Sequence, residues 1–342
     1  MTILRCNKCG HLEELPREAA GTTLPCPRCR TPVHAYDTVL FVGKVLEKLF
    51  ALQTELVRLR AAVSDGARPP AAVGAAALDT FDLHNSGVLS TELQHGPIQE
   101  WFQRRQVEVR INPKAVDTTG FFDEIAVAIG KHGDVLKEVV DRIRFAQMKG
   151  FATTTIHLDR KTPEQGQLVV DFCRQLYDYS FVAKCFHLKD EKLLRLVLQT
   201  APAIREFFNG DWLEWLVFMT MLESVREHRR RYSCARNLVI TLQNDETFEL
   251  DVFFLIDGNR PMCIECKSGE FRQDIDHCLT LRKRLAIARD DFIICAAGLN
   301  PDQARGLSST YGLSFCNEQD LRGRLGRMFS AQIESEQRAR TA

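Results

Sequence analysis

No apolar run in the 342 residues approaches the roughly 20 residues that a membrane-spanning helix needs. The densest stretch, 212–222, is short and is broken by Glu214. Net charge is also missing. Lys+Arg and Asp+Glu both number 45, so the formal net charge is +0. That excludes binding to polyanions through total charge, though not through a local basic groove. Met1-Thr2-Ile3-Leu4-Arg5-Cys6 lacks a charged-then-apolar leader. Neither GxxxxGK(S/T) nor GxGxxG occurs, which disfavours an NTP-driven motor and a dinucleotide enzyme. No internal repeat is visible. These absences lead to the expectation of a cytoplasmic protein with no membrane partner. With 45% hydrophobic and 26% charged residues the chain is too apolar for bulk disorder, and it is long enough for two or three domains.

Cysteine, by contrast, is plentiful. Four of the twelve fall in the first 29 residues as Cys6-x2-Cys9 and Cys26-x2-Cys29, and the rest are scattered from Cys173 to Cys316 without framework spacing. A reducing compartment with one metal site explains this better than disulfides. Two CxxC knuckles separated by sixteen residues can close a tetrahedral S4 site on Zn2+. A segment this short cannot build a core unaided, so the metal would hold it folded, with Leu12, Leu15, Leu24 and Val33 packed around it. The expectation is a structural zinc ribbon over 1–37. Four thiolates leave no open position for catalysis.

In 38–63, Val42, Val45, Leu49, Leu52, Leu56, Leu59 and Val63 recur at alternating spacings of three and four. That heptad pattern predicts a two-stranded coiled coil, hence a homodimer or higher homo-oligomer. It also suits a single amphipathic helix packed on its own protein. Residues 64–77 are rich in Ala, Gly and Pro and read as a linker. Residues 78–199 read as an α/β middle domain. Strands are expected at 107–111 and 151–158, a hairpin at 182–198, and helices at 121–147, broken at 130–133, and at 163–179. Residues 200–335 read helix, three strands, helix, strand, helix, with the first strand near 238–242. The polar tail, 336–342, is expected to fray.

Two adjacent predicted strands carry the chemistry. One reads Phe248-Glu-Leu-Asp251-Val-Phe-Phe-Leu-Ile256. After a turn the next reads Met262-Cys-Ile-Glu265-Cys-Lys267-Ser-Gly269. Strand side chains alternate faces, so Glu265 and Lys267 share one face, and a hairpin brings Asp251 toward Glu265. Carboxylates in apolar strands must be paired or hold a metal. Two hard oxygen ligands plus waters suit Mg2+ or Mn2+, which can activate water and stabilise charge on a phosphate, with Lys267 neutralising the rest.

Asp251 followed fourteen residues on by Glu265-Cys266-Lys267 resembles the D…(D/E)xK signature of the restriction-endonuclease-like PD-(D/E)xK nucleases, and the element order matches that superfamily's core. Together with Gly210-Asp-Trp-Leu-Glu214-Trp, these residues are similar to the nuclease domain of CRISPR-ancillary enzymes that carry a CARF sensor domain. Leu250 stands where the namesake proline would, and no CARF pattern is legible in 78–199. The resemblance implies an α/β fold with a restriction-endonuclease-like C-terminal domain and hydrolysis of DNA or RNA by a Mg- or Mn-dependent phosphodiesterase, in the setting of nucleic-acid defence. It also implies Asp251 and Glu265 as metal ligands, the Cys266 carbonyl as a further ligand, Lys267 as the catalytic lysine and Glu214 as an additional acidic member. Glu214 has a second reading, as the partner of Asp211 in a helix capping box. Cys263 and Cys266 face opposite sides of a strand and read as small buried residues. Arg229, Arg230, Arg231 and Arg236 form a basic cluster expected to hold nucleic-acid phosphates, and Arg282, Lys283, Arg284 and Arg289 form a second group. Two competing readings remain. One is a nucleic-acid- or partner-binding protein with an inactive nuclease-like domain. The other is a ligand-gated sensor whose middle domain controls cleavage.

Overall fold

The computed structural model describes residues 2–5, 11–19, 22–37, 92–111 and 120–341. The chain is mixed α/β and divides into two compact units, 1–73 and 74–342. Cys6 and Cys9, the heptads of 38–63 and the linker 64–77 lie outside the described residues.

In the first unit, β1 (Thr2–Arg5) pairs antiparallel with β2 (Leu12–Leu15) and β4 (Pro32–Asp37), and β4 also pairs with β3 (Thr23–Pro25). Cys26 and Cys29 sit on the β3–β4 turn. The Cys26 N–H donates to the Thr31 carbonyl (2.9 Å), and Arg30 takes a positive φ of 59°. The core is small: Leu4, Cys26 and Val33, with Leu15, Leu24 and Cys29 against them. Among the described residues that is little apolar burial for a unit to rest on.

The second unit opens with α1 (Glu92–Gln103) and β5 (Glu108–Ile111). Then come α2 (Phe121–Lys131), α3 (Gly133–Met148), β6 (Thr153–His157), α4 (Pro163–Asp178) and the hairpin β7 (Val182–Leu188)–β8 (Leu193–Leu198). Thr162 caps α4 in a reciprocal box with Gln165, and Pro163 occupies the first turn, where a missing N–H is harmless. The helical pattern of 121–147 divides at His132, as expected. Gly130, however, lies inside α2 and serves a close approach. A Cβ there would stand 2.5 Å from Leu216 Cδ2 on the facing helix. Gly130→Ala is therefore expected to overpack this contact and cost about 1–3 kcal/mol, read as a lowered Tm. An unchanged Tm would show that Leu216 moves aside freely.

The remaining elements are α5 (Pro202–Glu206), a π-turn (Phe207–Asp211), α6 (Trp212–Glu227), β9 (Tyr232–Thr241), β10 (Thr247–Ile256), β11 (Arg260–Lys267), α7 (Ile275–Arg284), β12 (Phe292–Ala296), α8 (Pro301–Thr310), β13 (Ser314–Cys316) and α9 (Leu321–Thr341). The tail expected to fray is thus the end of α9. Strand β9 begins six residues before the expected 238. Its first half carries Ser233, Arg236 and Asn237, which mask the strand pattern, yet it pairs along its length with β10.

Six strands form one sheet in the order β13-β12-β11-β10-β9-β5. Its β5-β9-β10-β11 half is antiparallel and its β11-β12-β13 half parallel. One face packs on α6 and α9, in a core continuous with α2, α3, α4 and the β6–β8 sheet. The other packs on α1, α7 and α8. Residues 92–111, read from sequence with the middle segment, supply an edge strand and a covering helix of this sheet.

Candidate active site

The β10–β11 hairpin closes through Asp257 and Gly258, both at positive φ (50° and 77°), the backbone of a tight turn. Its ladder runs from Ile256↔Arg260 to Val252↔Ile264. One residue further the ladder stops, and the Asp251 side chain takes over. Its Oδ2 accepts the Cys266 N–H at 2.7 Å. Strand β11 continues on its other edge, where Glu265, Cys266 and Lys267 pair in parallel with Ile294, Cys295 and Ala296 of β12. The gap between β10 and β11 therefore opens at Asp251 and Glu265.

The sheet also twists here. Leu250 and Leu238 pack into the α1/α7 layer, while their second neighbours Val252 and Arg236 turn toward α6, as does Cys234. Regular alternation would keep positions two apart on one face. Asn237, at φ 50°, absorbs the change on β9, and Asp251 sits at the matching step of β10. Through this twist, residues on opposite faces of the sheet come within electrostatic reach of each other.

Glu265 is 5% exposed. Its Oε2 lies 3.7 Å from Lys267 Nζ, which is also 3.8 Å from Asp274 Oδ2. Burial, and next the Asp251 charge, push the Glu265 carboxyl well above its ordinary value, with Lys267 pulling back. Burial raises Asp251 too, against the Cys266 N–H and Lys267. Burial alone would lower the Lys267 ammonium. Glu265 and Asp251 outweigh it, and the net shift is upward, so Lys267 is a cation at neutral pH and not a base.

Glu214 approaches from α6. Asp211 makes no capping hydrogen bond, because the π-turn runs directly into α6 and leaves no free helix start to cap. The capping-box reading of Glu214 is therefore replaced by another partner. Arg236 Nη2 donates to Glu214 Oε2 at 3.2 Å, and the guanidinium lies 3.6 Å over the Trp215 ring. Burial, then the Asp251 charge, push Glu214 up to about 8 despite Arg236.

Arg236 is 3% exposed and faces inward, away from any phosphate in solvent. Arg229 and Arg231 are exposed, but they precede β9, whose first residue Tyr232 pairs with Ile256. That end lies about 17 Å along β10 from Asp251. Arg230 is ion-paired with Asp257. In the second basic group Arg282 donates to the Ile287 carbonyl, Arg284 pairs with Glu246, and Arg289 donates to the Ser308 carbonyl. Cys263 and Cys266 do face opposite layers. Sequence reading missed Asp274 and the inward role of Arg236. Both depend on contacts between elements, and only the nearness of Arg236 to a strand of uncertain start hinted at the second.

Among the described residues no group of three or more His, Cys, Asp and Glu side chains is drawn together as a complete metal cage. The donors are the buried carboxyl groups of Asp251 and Glu265, both pushed up by burial and Glu265 also by the Asp251 charge. That set fits a hard cation that keeps part of its water shell.

A raised carboxyl pKa gives a pH test. Between its ordinary 4.5 and about 8, Glu214 keeps a proton in the folded chain that it has lost in the unfolded one. Its contribution is fully present below 4.5 and is lost as pH rises through about 8. Without added divalent cations, Tm should fall across that window, by about 2–4 °C for each kcal/mol lost. Glu214→Gln should flatten the slope. A flat wild-type profile would contradict the burial argument.

The chain matches no protein-family model and no curated protein. Among solved structures it is similar to protein VC1899 from Vibrio cholerae (15% identity, TM-score 0.46) and to Can2 from Sulfobacillus thermosulfidooxidans, solved in complex with cyclic tetra-adenylate (15% identity, TM-score 0.48). Each alignment covers 68% of this chain and 60% of the other. Among the described residues no helix is long and apolar enough to cross a membrane.

Proposed function

We propose that the second unit is a metal-dependent nuclease that hydrolyses phosphodiester bonds. The observation that carries this reading is the meeting of Asp251, Glu265 and Lys267 where β10 and β11 part, with both carboxyls pushed up by burial and Glu265 further by the Asp251 charge. Buried, perturbed carboxylates beside a lysine in an opening of a sheet favour a catalytic role over a surface ion pair, because a surface pair would be solvated and unshifted.

Asp251 and Glu265 would hold Mg2+ or Mn2+, with the Cys266 carbonyl as a third oxygen. When bound, the cation supplies an acidified water and charge neutralisation at the scissile phosphate. Lys267, a quarter exposed at the site's mouth, presents a fixed positive charge to the phosphate oxygens as negative charge grows there. Asp274 orients that ammonium from its far side. Glu214 stands behind Asp251 as a buried carboxyl, and Arg236 holds it in place. Of the first basic cluster, Arg229 and Arg231 are the members free to meet a phosphate chain. Arg236 works inward.

The test is incubation of the full chain with labelled single- and double-stranded DNA and RNA, with Mg2+, with Mn2+ and with neither. Metal-dependent cleavage of any of these supports the reading. Binding without cleavage under either metal would favour the non-catalytic alternative.

For the first unit we propose a structural Zn2+ on Cys6, Cys9, Cys26 and Cys29. The support is the turn that carries Cys26 and Cys29 beside the small core that the described residues form. Elemental analysis should give about one Zn2+ per chain, and chelation should unfold this unit alone. Metal-free protein whose first unit keeps its protease resistance would contradict it.

A further inference from the structure

We propose that the open face of the β6-β8-β7 sheet is a platform for single-stranded nucleic acid. The three strands pair antiparallel in that order. One face, through Ile156, Leu194 and Leu196, is buried in the common core. The residues that alternate onto the other face are left to solvent. Across its middle the register aligns Thr155, Arg195 and Phe186, and the next row aligns Thr153, Val197 and Lys184.

Three features of this face select the occupant. First, Phe186 is 46% exposed in the middle of a strand, where its ring gains nothing from the core. Second, Arg195 lies directly across from Phe186 and Lys184 lies two residues away, while no residue alternating onto the face is acidic. Third, Phe151, which precedes β6 at the same parity as Thr153, is 57% exposed. Exposed rings offer stacking surfaces to unpaired bases, and cations set between them hold the backbone. A duplex would bury its base faces and leave the rings unused. A protein partner would profit from the rings but not from Arg195 and Lys184 beside them, so charge complementarity on the face itself favours the polyanion.

As the substrate-gripping surface of the nuclease, the platform rests on the reading above. As a binding surface it can be measured without cleavage. The full chain, with no divalent cation added, is titrated against fluorescent oligo-dT, oligo-U and a duplex of mixed sequence, in wild type, Phe186→Ala, Phe186→Tyr and Arg195→Gln. Both positions face solvent, and unchanged thermal melts establish that the variants fold. Phe186→Ala should weaken single-strand binding on the order of 10-fold, Phe186→Tyr should keep it, and Arg195→Gln should lower the salt slope by about one. The oligo-dT and oligo-U arms report whether DNA or RNA is preferred. No binding of either single strand by wild type, or equal binding by Phe186→Ala and Arg195→Gln, would overturn the proposal. Loss of self-association in Phe186→Ala with unchanged oligonucleotide binding would overturn it too, by assigning the face to a second copy. The two readings fail separately. If binding drops as expected but no metal supports cleavage, the platform stands and the nuclease falls. If cleavage of single strands occurs and is indifferent to both variants, the nuclease stands and the platform falls.

Discussion

Lys267→Ala should lower the rate of phosphodiester cleavage by about 10²–10³-fold, the usual loss when one preorganised charge at a reacting oxyanion is removed. The fold should survive, since the side chain reaches toward solvent with its ammonium between Glu265 and Asp274. Removing it leaves Glu265 and Asp251 without their nearest cation. Their carboxyl groups should then titrate higher still, and divalent cations should bind with a steeper pH dependence. Asp251→Ala should abolish activity by a different route. It removes a proposed metal ligand and also the acceptor that anchors the Cys266 N–H at the end of the β10–β11 ladder. The two variants are therefore distinguishable. Asp251→Ala should lose the cation, so that high Mn2+ does not recover its activity, whereas Lys267→Ala should still bind it. Equal cleavage by wild type and Lys267→Ala would end the assignment of Lys267.

The second large effect concerns Arg236. This guanidinium is almost wholly buried between Glu214 and the Trp215 ring. Arg236→Met leaves the buried Glu214 carboxyl, protonated below about 8, without its donor and removes the cation from the Trp215 ring, so the second unit should lose about 1–3 kcal/mol. Arg236→Met combined with Glu214→Leu should recover most of it, because the orphaned carboxyl goes as well. If Arg236 instead served phosphate contact, Arg236→Met would leave stability unchanged and weaken nucleic-acid binding. Arg236→Lys separates charge from shape. It keeps the cation but loses the flat stacking surface and fork geometry, so partial destabilisation is expected.

Much of this site was legible in the chain, and what was not has physical causes. Asp251, Glu265 and Lys267 stood out because charges embedded in Val-, Ile- and Phe-rich strands demand a partner. Strands β10, β11 and β12 were visible because both of their faces are buried, which produces nearly unbroken apolar runs. The helix break at 130–133, the α4 start and the β7–β8 hairpin followed from local Gly, Pro and turn chemistry. The first half of β9 was not legible, because a buried arginine and a left-handed asparagine replace the apolar alternation that marks a strand. The three-residue β13 was missed because it is too short to show a period. For the same reason Arg236 read as part of a surface cluster. Its neighbours Arg229 and Arg231 are on the surface, and nothing in the local sequence marks the position at which the chain turns inward. The capping reading of Glu214 failed because a π-turn continues the helix through the place where a cap would sit.

The most direct test of the central claim is a crystal of the protein soaked in Mn2+ and measured for anomalous scattering. The account predicts a Mn2+ peak between β10 and β11, touched by carboxylate oxygens of both Asp251 and Glu265, with Lys267 beside it. A peak that touches only one of them, or full occupancy elsewhere with none between these strands, would contradict it.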